Sequence, residues 1–484
     1  MRRIEFTRLD YQKDSVAYVD ALMQLDLDKP IFLDSNPLDS SPIDFNPEVV
    51  DLSANPIIAA HSPNEDRRFD IISAAPDAWL SLTYADHASA LSRVRAFFET
   101  HDHSRSLPNE CAYLPFCGGI IANINYEFGY ACNELTPLQR SSSDADSSDS
   151  LFCAGLYTWA IIQDHQRKEA HFVTFSEHAA HNTTYLDRVL AVLDTSQSAN
   201  TDNSSQHRIV SPIESHISQT DYLDAIARIH EYILSGDCYQ VNFAQSYSGR
   251  YSGSTWSAYK QLRSAAQAPF SAYWQCEHTD VLCASPERFL RIDQHRIETK
   301  PIKGTRPRSH DPVEDKLLAD ALSQSIKDCA ENLMIVDLLR NDLGKNCVPG
   351  SIEVERLFDV ESFSTVHHLV STISGTLSPD RTHLDTFLDC FPGGSITGAP
   401  KIRAMQIINE LEQHERQLYC GSIAYFSAHG HSDSNICIRT FLCNDGHIRT
   451  WAGGGIVHDS NPAKEYAECG YKIDALIHSL TQSH

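Results

Sequence analysis

Positive charge is scarce in this chain: 39 Lys and Arg stand against 64 Asp and Glu, a formal net charge of −25 over 484 residues. A phosphate-coated nucleic acid or an anionic membrane surface would be repelled over most of such a surface, so neither is an expected partner. An anionic small substrate would need a local basic site. No run of 18 apolar residues occurs, and the two arginines of MRRIEFTRLDYQ are not followed by the apolar core of a secretory signal. No membrane span and a cytoplasmic location are therefore expected. The 14 cysteines include no Cys-x-x-Cys pair, which leaves neither a zinc ribbon nor a dithiol redox motif, and they are read as reduced and mostly buried. Also missing is a Gly-x-Cys-x-Gly turn, the nucleophile turn of class I glutamine amidotransferases. Any ammonia derived from glutamine would come from another protein.

What is there is ordinary globular material, 42% hydrophobic and 21% charged, long enough for one large or two interlocked domains. Residues 140–150, RSSSDADSSDS, and 196–207, SQSANTDNSSQH, are polar and of low complexity and read as exposed loops. The second divides an N-terminal region, 1–207, with short strand-like segments, from a C-terminal region, 208–484, that holds nearly all the candidate chemistry. In the latter, helical periodicity over 219–235, 312–340, 400–413 and 462–480 alternates with strand-like segments such as DVLCASPERFLRI and HIRTWAGGGIV, joined by short turns such as CNDGHI. Strands linked through hairpins argue for antiparallel sheets, hence an α+β fold.

The helix opening at Ser460-Asn461-Pro462 carries a core stripe of Tyr466, Ile473, Leu476 and Leu480, with Glu465, Glu468 and Lys472 on an adjacent face. Asp328 and Glu331 stand at i, i+3 on a second helix. Each face alone reads as solvated charge. If they met, four carboxylates would repel unless protons or a hard cation such as Mg2+ neutralised them. Gly393–Lys401 and the Gly453-Gly454-Gly455 turn could receive an anion on backbone N–H groups, or be turns only. The first lacks the Lys and Ser or Thr of a nucleotide-binding loop, having Ala399-Pro400 there. Lys303, on a β-rich segment, could serve as a nucleophile only if burial or nearby positive charge lowered its pKa. Glu287 could pair with Arg288 or act as an acid. His367 and His368 cannot both face one site from a regular strand.

Read in order, GDCYQVNFAQ (236–245), SPERFL (285–290), PIKGTRPR (301–308), AENLMIVDLLRNDLG (330–344), PGGSITGAPKIRAM (392–405) and WAGGGIVHDSNPAKEYAECGYK (451–472) resemble the chorismate-utilising enzymes. That family includes anthranilate, aminodeoxychorismate, isochorismate and salicylate synthases, and the match is dense from 215 to 482. It implies two interlocked α/β subdomains with large antiparallel sheets forming a sandwich flanked by helices. PIKGT and CYQVN are similar to the aminodeoxychorismate-forming branch; anthranilate synthases carry Ala at the position of Lys303. Gln240 stands where isochorismate and salicylate synthases place a water-activating lysine.

The resemblance further implies Mg2+ on Glu331 and Glu468, with Asp328 and Glu465 beside them directly or through water. It implies that chorismate is received by Arg439, Lys472, Tyr425, Thr397, His368, Gln240 and Gly453 to Gly455. Lys303 would add at C2 of chorismate as the 4-hydroxyl leaves with a proton from Glu287; ammonia from a separate class I glutamine amidotransferase subunit would then displace the lysine at C4. In the N-terminal region FLDS (32–35), RRFDI (67–71), PFCGG (115–119) and APFSAYW (268–274) resemble a tryptophan pocket, with Ser35, Arg68, Pro269 and Tyr273 as candidate contacts. Ala272 replaces the second proline common in anthranilate synthases, which argues against feedback inhibition by tryptophan and leaves bound tryptophan either structural or absent. Anthranilate synthase component I and a non-catalytic tryptophan- or chorismate-binding regulator are the competing readings.

Overall fold

Alternation along single strands dictates the architecture. Ile31, Ile71, Ala272 and Val281 pack into one core, while their neighbours Phe32, Ile72, Tyr273 and Leu282 pack into another. A sheet apolar on both faces must be covered on both. The first core fills the space against a second sheet. The other lies beneath the helices Val16–Gln24, Ala179–Ser196 and Thr255–Ala266. Each large side chain so buried contributes roughly 1.5–3 kcal/mol.

The computed structural model describes residues 3–37, 66–101, 104–136, 150–196, 206–363 and 366–481. Most of the two polar stretches at 140–150 and 196–207 lies outside the described residues. Among the described residues twelve strands form one sheet and ten the other, and every strand pair in both is antiparallel. The α+β expectation holds. Both sheets draw strands from both sides of residue 207: Ile31–Asp34 pairs with Phe270–Cys276, and Gly119–Ile124 with Ser422–Ser427. The regions 1–207 and 208–484 are thus woven into shared sheets rather than folded as separate bodies.

The helices fall close to the periodic segments, at Gln219–Leu234, Lys401–Leu411 and Pro462–Thr481. The segment 312–340 is two helices, Pro312–Ser323 and Ile326–Gly344. Ser325, extended at φ −68°, ψ 107°, breaks the run, and its side chain accepts from the Asp328 N–H at 3.3 Å. Such a cap is worth about 1 kcal/mol and sets Asp328 and Glu331 on the first turns of the new helix. Asn461 caps the last helix in the same way, its Oδ1 accepting from the Lys464 N–H at 3.1 Å. All 14 cysteines are free, and all but Cys132 and Cys329 are buried. Among the described residues no helix is long and apolar enough to cross a membrane.

Candidate active site

Gly304 explains how Lys303 comes to be aimed inward. It has φ +77°, and the pairing of Ile302–Pro307 with Val366–Thr376 slips at this point. A Cβ there would lie 2.9 Å from Leu322 Cδ1 and 3.0 Å from Asp328 Cβ, so only glycine lets the strand bulge this close to the capped helix. Lys303 Nζ donates to the Ser395 carbonyl at 3.0 Å, and Ser395 Oγ donates to Glu287 Oε1 at 2.8 Å. Burial lowers the Lys303 pKa; Glu287 and Glu331 oppose the shift and Lys472 adds to it. Burial raises that of Glu287, against Lys303, the Ser395 hydroxyl and the Ile302 backbone. Both groups are thus driven toward their neutral forms, the states that a nucleophilic amine and a general acid require.

Arg288 is not the partner of Glu287. It pairs with Asp433 at 3.0 Å and Asp66 at 2.7 Å on the other side of its strand.

The two acidic helix faces stand near enough to act on each other electrostatically. Asp328 and Glu465 raise the pKa of Glu331, although burial is the larger cause, and Asp328 also acts on Glu468. Their positions are individually occupied: Asp328 pairs with Arg306 at 2.9 Å, Glu468 with Lys472 at 2.9 Å, and Glu465 accepts from Ser460 at 2.8 Å. Glu331 Oε1 is buried without a hydrogen-bond partner, with Lys327 Nζ 3.7 Å away. Among the described residues no three His, Cys, Asp or Glu side chains stand at metal-holding spacing. The donor set is all oxygen and acidic, and an orphaned carboxylate oxygen lies within it, so the residues suit a hard divalent cation although they are not preassembled around one.

Arg439 is in the left-handed region at φ 53°, and burial lowers its pKa with no carboxylate opposing. Among the described residues it has no ion-pair partner, so its guanidinium is available to an anionic ligand. It stands close enough to His368 to help burial hold that ring down at about 4, and His368 Nδ1 lies 2.9 Å from Thr305 Oγ1. Lys472 Nζ donates to the Gly453 carbonyl at 2.8 Å. Gln240 is fully buried, and both polar atoms of its amide lack partners.

Three expectations need correction. Gly453, Gly454 and Gly455 form no turn; they lie within the strand His447–Ile456, opposite Ala244, Phe243 and Asn242. Their smallness serves close approach: a Cβ on Gly455 would sit 2.6 Å from Gln240 Nε2, and one on Gly453 2.5 Å from the Phe243 carbonyl. Thr397, in the neighbouring loop, keeps its place as a candidate contact, its hydroxyl donating to the Gly393 carbonyl at 3.0 Å. Tyr425 does not join Arg439 and Lys303. With Ile423, at strand spacing, it lines a cavity of 580 Å3 together with Ser35, Arg68, Pro269 and Arg288. Tyr273 does not line that cavity: its neighbour Ala272 does, while Tyr273 turns to the helix-covered core beside Trp256 and Tyr259. Within the cavity Arg68 is already bound to Asp164 at 2.7 Å, and Ser35 donates to Asp70 at 2.7 Å.

Sequence reasoning also missed residues. In the sequence Ser395 is marked only by its place in a glycine-rich loop. Arg416, 1% exposed and paired with Glu412 at 2.6 Å, donates to the carbonyls of Ile396 at 3.1 Å and Asn242 at 2.7 Å. Apart from the i,i+4 spacing of Glu412 and Arg416, these contacts carry no local signal, because Ser395 reaches Glu287 and Lys303 and Arg416 reaches the Ile396 and Asn242 carbonyls across distant parts of the chain.

The chorismate binding enzyme family matches residues 55–478. Aminodeoxychorismate synthase component 1 of Klebsiella aerogenes is 41% identical over 431 residues, 87% of this chain and 92% of that protein. The protein of the same name from Escherichia coli strain K12 is 41% identical over 423 residues, covering 85% and 90%. Among solved structures, anthranilate synthase component I from Streptococcus pneumoniae TIGR4 superposes with a TM-score of 0.73 at 25% identity, covering 89% of this chain and 95% of that one. The menaquinone-specific isochorismate synthase MenF from Escherichia coli, at 15% identity and a TM-score of 0.67, shares the fold. This chain belongs to the chorismate binding enzyme family.

Proposed function

We propose that the chain is the chorismate-aminating component of an aminodeoxychorismate synthase, forming 4-amino-4-deoxychorismate for p-aminobenzoate and folate synthesis. The observation that carries the reading is the buried, neutral-leaning pair of Lys303 and Glu287 bridged by Ser395. A lysine at this position, and relatives of that name at 41% identity, favour it over an anthranilate-forming enzyme.

The Lys303 amine attacks C2 of chorismate as the ring double bond shifts and the 4-hydroxyl departs, taking its proton from Glu287 as water. The secondary ammonium so formed returns a proton to the Glu287 carboxylate. Ammonia then attacks C4 as the double bond shifts back and the C2–N bond breaks; the departing lysine takes its proton from Glu287 and the new C4 ammonium returns one to that carboxylate, which splits one hard displacement into two. Arg439 and Lys472 supply the local positive charge that holds a dianionic substrate in a chain of net charge −25. Glu331 and Glu468, with Asp328 and Glu465 nearby, would hold Mg2+, which neutralises the substrate's ring carboxylate when bound. The missing amidotransferase turn, and relatives named as a first component, fit a separate glutaminase subunit that delivers the ammonia within the cytoplasm. The 580 Å3 cavity is the candidate place for tryptophan, away from Lys303.

Mass spectrometry of the products and of the intact protein, after incubation of wild type and Lys303→Ala with chorismate, Mg2+ and ammonium, tests the proposal. Aminodeoxychorismate from wild type and a sharp loss in the variant is expected. Anthranilate from wild type would move the chain to the other branch, and no turnover at all would leave a binding protein.

A further inference from the structure

Among the described residues, Ser395 is joined by hydrogen bonds to both groups assigned to the chemistry. Its hydroxyl reaches Glu287 Oε1 at 2.8 Å and its carbonyl receives Lys303 Nζ at 3.0 Å, and the residue is 4% exposed. One residue thus meets the acid with its side chain and the nucleophile with its backbone.

Its position is held from outside the site. Ser395 lies in the short turn Gly394–Ile396, closed by the Thr397 hydroxyl on the Gly393 carbonyl. Gly394 has no room for a side chain, since a Cβ would stand 2.6 Å from Leu338 Cδ2. The next carbonyl, that of Ile396, is gripped by Arg416, whose charge is balanced by Glu412. On the far side Lys401 forms a 2.6 Å ion pair with Asp342 of the helix that bears Glu331. The turn is anchored to the strand of Gln240 as well, through the Asn242 N–H on the Thr397 carbonyl at 2.8 Å.

We infer that Ser395 is a positioning residue for the amination: its hydroxyl fixes which carboxyl oxygen of Glu287 carries the transferable proton, and its carbonyl fixes the direction of the Lys303 lone pair. The inference rests on the amination reading above. A neutral carboxyl has one O–H, and an oxygen that accepts the serine proton leaves the acid proton to Oε2. A neutral amine has two N–H bonds and one lone pair. Giving one N–H to the Ser395 carbonyl restricts rotation about Cε–Nζ and leaves the lone pair a limited arc. Because both constraints come from one anchored turn, acid and nucleophile keep a fixed mutual orientation through both displacements.

The test is the pH dependence of kcat and KM for wild type, Ser395→Ala and Ser395→Thr with chorismate, Mg2+ and ammonium. The protonation of Glu287 is followed in parallel by infrared difference spectroscopy of the resting enzyme, assigned with Glu287→Gln. Loss of the hydroxyl should lower kcat about 10- to 100-fold, with KM for chorismate changing by less than about 3-fold. Since the serine donor stabilises the carboxylate, its removal should also raise the Glu287 pKa, moving both the infrared titration and the high-pH limb of the rate upward. Ser395→Thr, which keeps the hydroxyl, should restore the wild-type limb and most of kcat. If alanine is not tolerated, Ser395→Gly removes the same hydroxyl from a turn already rich in glycine.

An unchanged kcat, an unmoved Glu287 titration, or failure of the threonine variant to rescue a folded enzyme would overturn the inference. If wild type itself forms no aminated product, the functional reading fails instead, and the infrared titration still reports whether Ser395 controls Glu287.

Discussion

Glu287 and Arg288 are adjacent in the chain and serve opposite sides of it: Glu287 accepts from Ser395 beside Lys303, while Arg288 enters the 580 Å3 cavity and binds Asp433 and Asp66. A second buried cation, Lys300, extends this network to Glu361 at 2.8 Å and to Asp66 at 3.3 Å, three residues before Lys303. The buried ion pairs beside the cavity therefore lie within three residues of each catalytic candidate.

Arg288→Met should lower stability by about 3–5 kcal/mol, because Asp433 and Asp66 would lose the guanidinium that balances them in the interior. Urea unfolding measures this. A change below about 1 kcal/mol would show that the two aspartates find other partners or water.

Asp66 makes the same network sensitive to acid. Burial pushes its carboxyl up, but Arg288 and Lys300 more than offset it and hold the pKa at about 2, below the ordinary 3.8. A depressed carboxylate stabilises the fold above its unfolded pKa, and that contribution is lost as pH falls through the folded value. The stability difference between wild type and Asp66→Asn should therefore shrink by about 2 kcal/mol between pH 4 and 2. A difference independent of pH in that range would contradict the pairing.

Lys303 must be neutral to attack, and its pKa is lowered by burial. The low-pH limb assigned to it should therefore lie below the ordinary lysine value of about 10.4. Lys303→Arg, whose guanidinium stays charged, should be as inactive as Lys303→Ala. A variant with arginine that turned over at more than about a tenth of the wild-type rate would argue against a covalent amine.

Chelation with EDTA should abolish turnover and added Mg2+ should restore it. Glu331→Gln keeps the side-chain shape but removes the charge of the orphaned oxygen, and should raise the Mg2+ concentration needed for half-maximal activity by about 10-fold or more. Equal Mg2+ dependence in wild type and variant would move the cation away from Glu331.

Helices and strands near the candidate site were readable because their signals are local. Hydrophobic period, Asn461 before Pro462 and the turn CNDGHI each act within a few residues. The break at Ser325 was missed because the apolar pattern runs across it, although Ser325 and Asp328 form a local cap of the same kind. Tyr425 and Tyr273 were misplaced for another reason: which face a strand residue takes depends on register with partners far away in the chain. A shift of one position separates Ala272 in the cavity from Tyr273 in the opposite core.

Composition and motif order were enough to establish an acidic globular chain, antiparallel α+β architecture, and Lys303, Glu287 and two acidic helix faces as its candidate chemistry. Folding alone settled that those faces come within electrostatic reach of each other, that Glu287 turns from Arg288 toward Lys303, and that Ser395 joins the two. Local patterns reflect interactions between near neighbours, which one-dimensional spacing records. The burial that moves the Lys303 and Glu287 pKa values toward neutrality comes from segments about a hundred residues apart, and exists only once both sheets have closed around them.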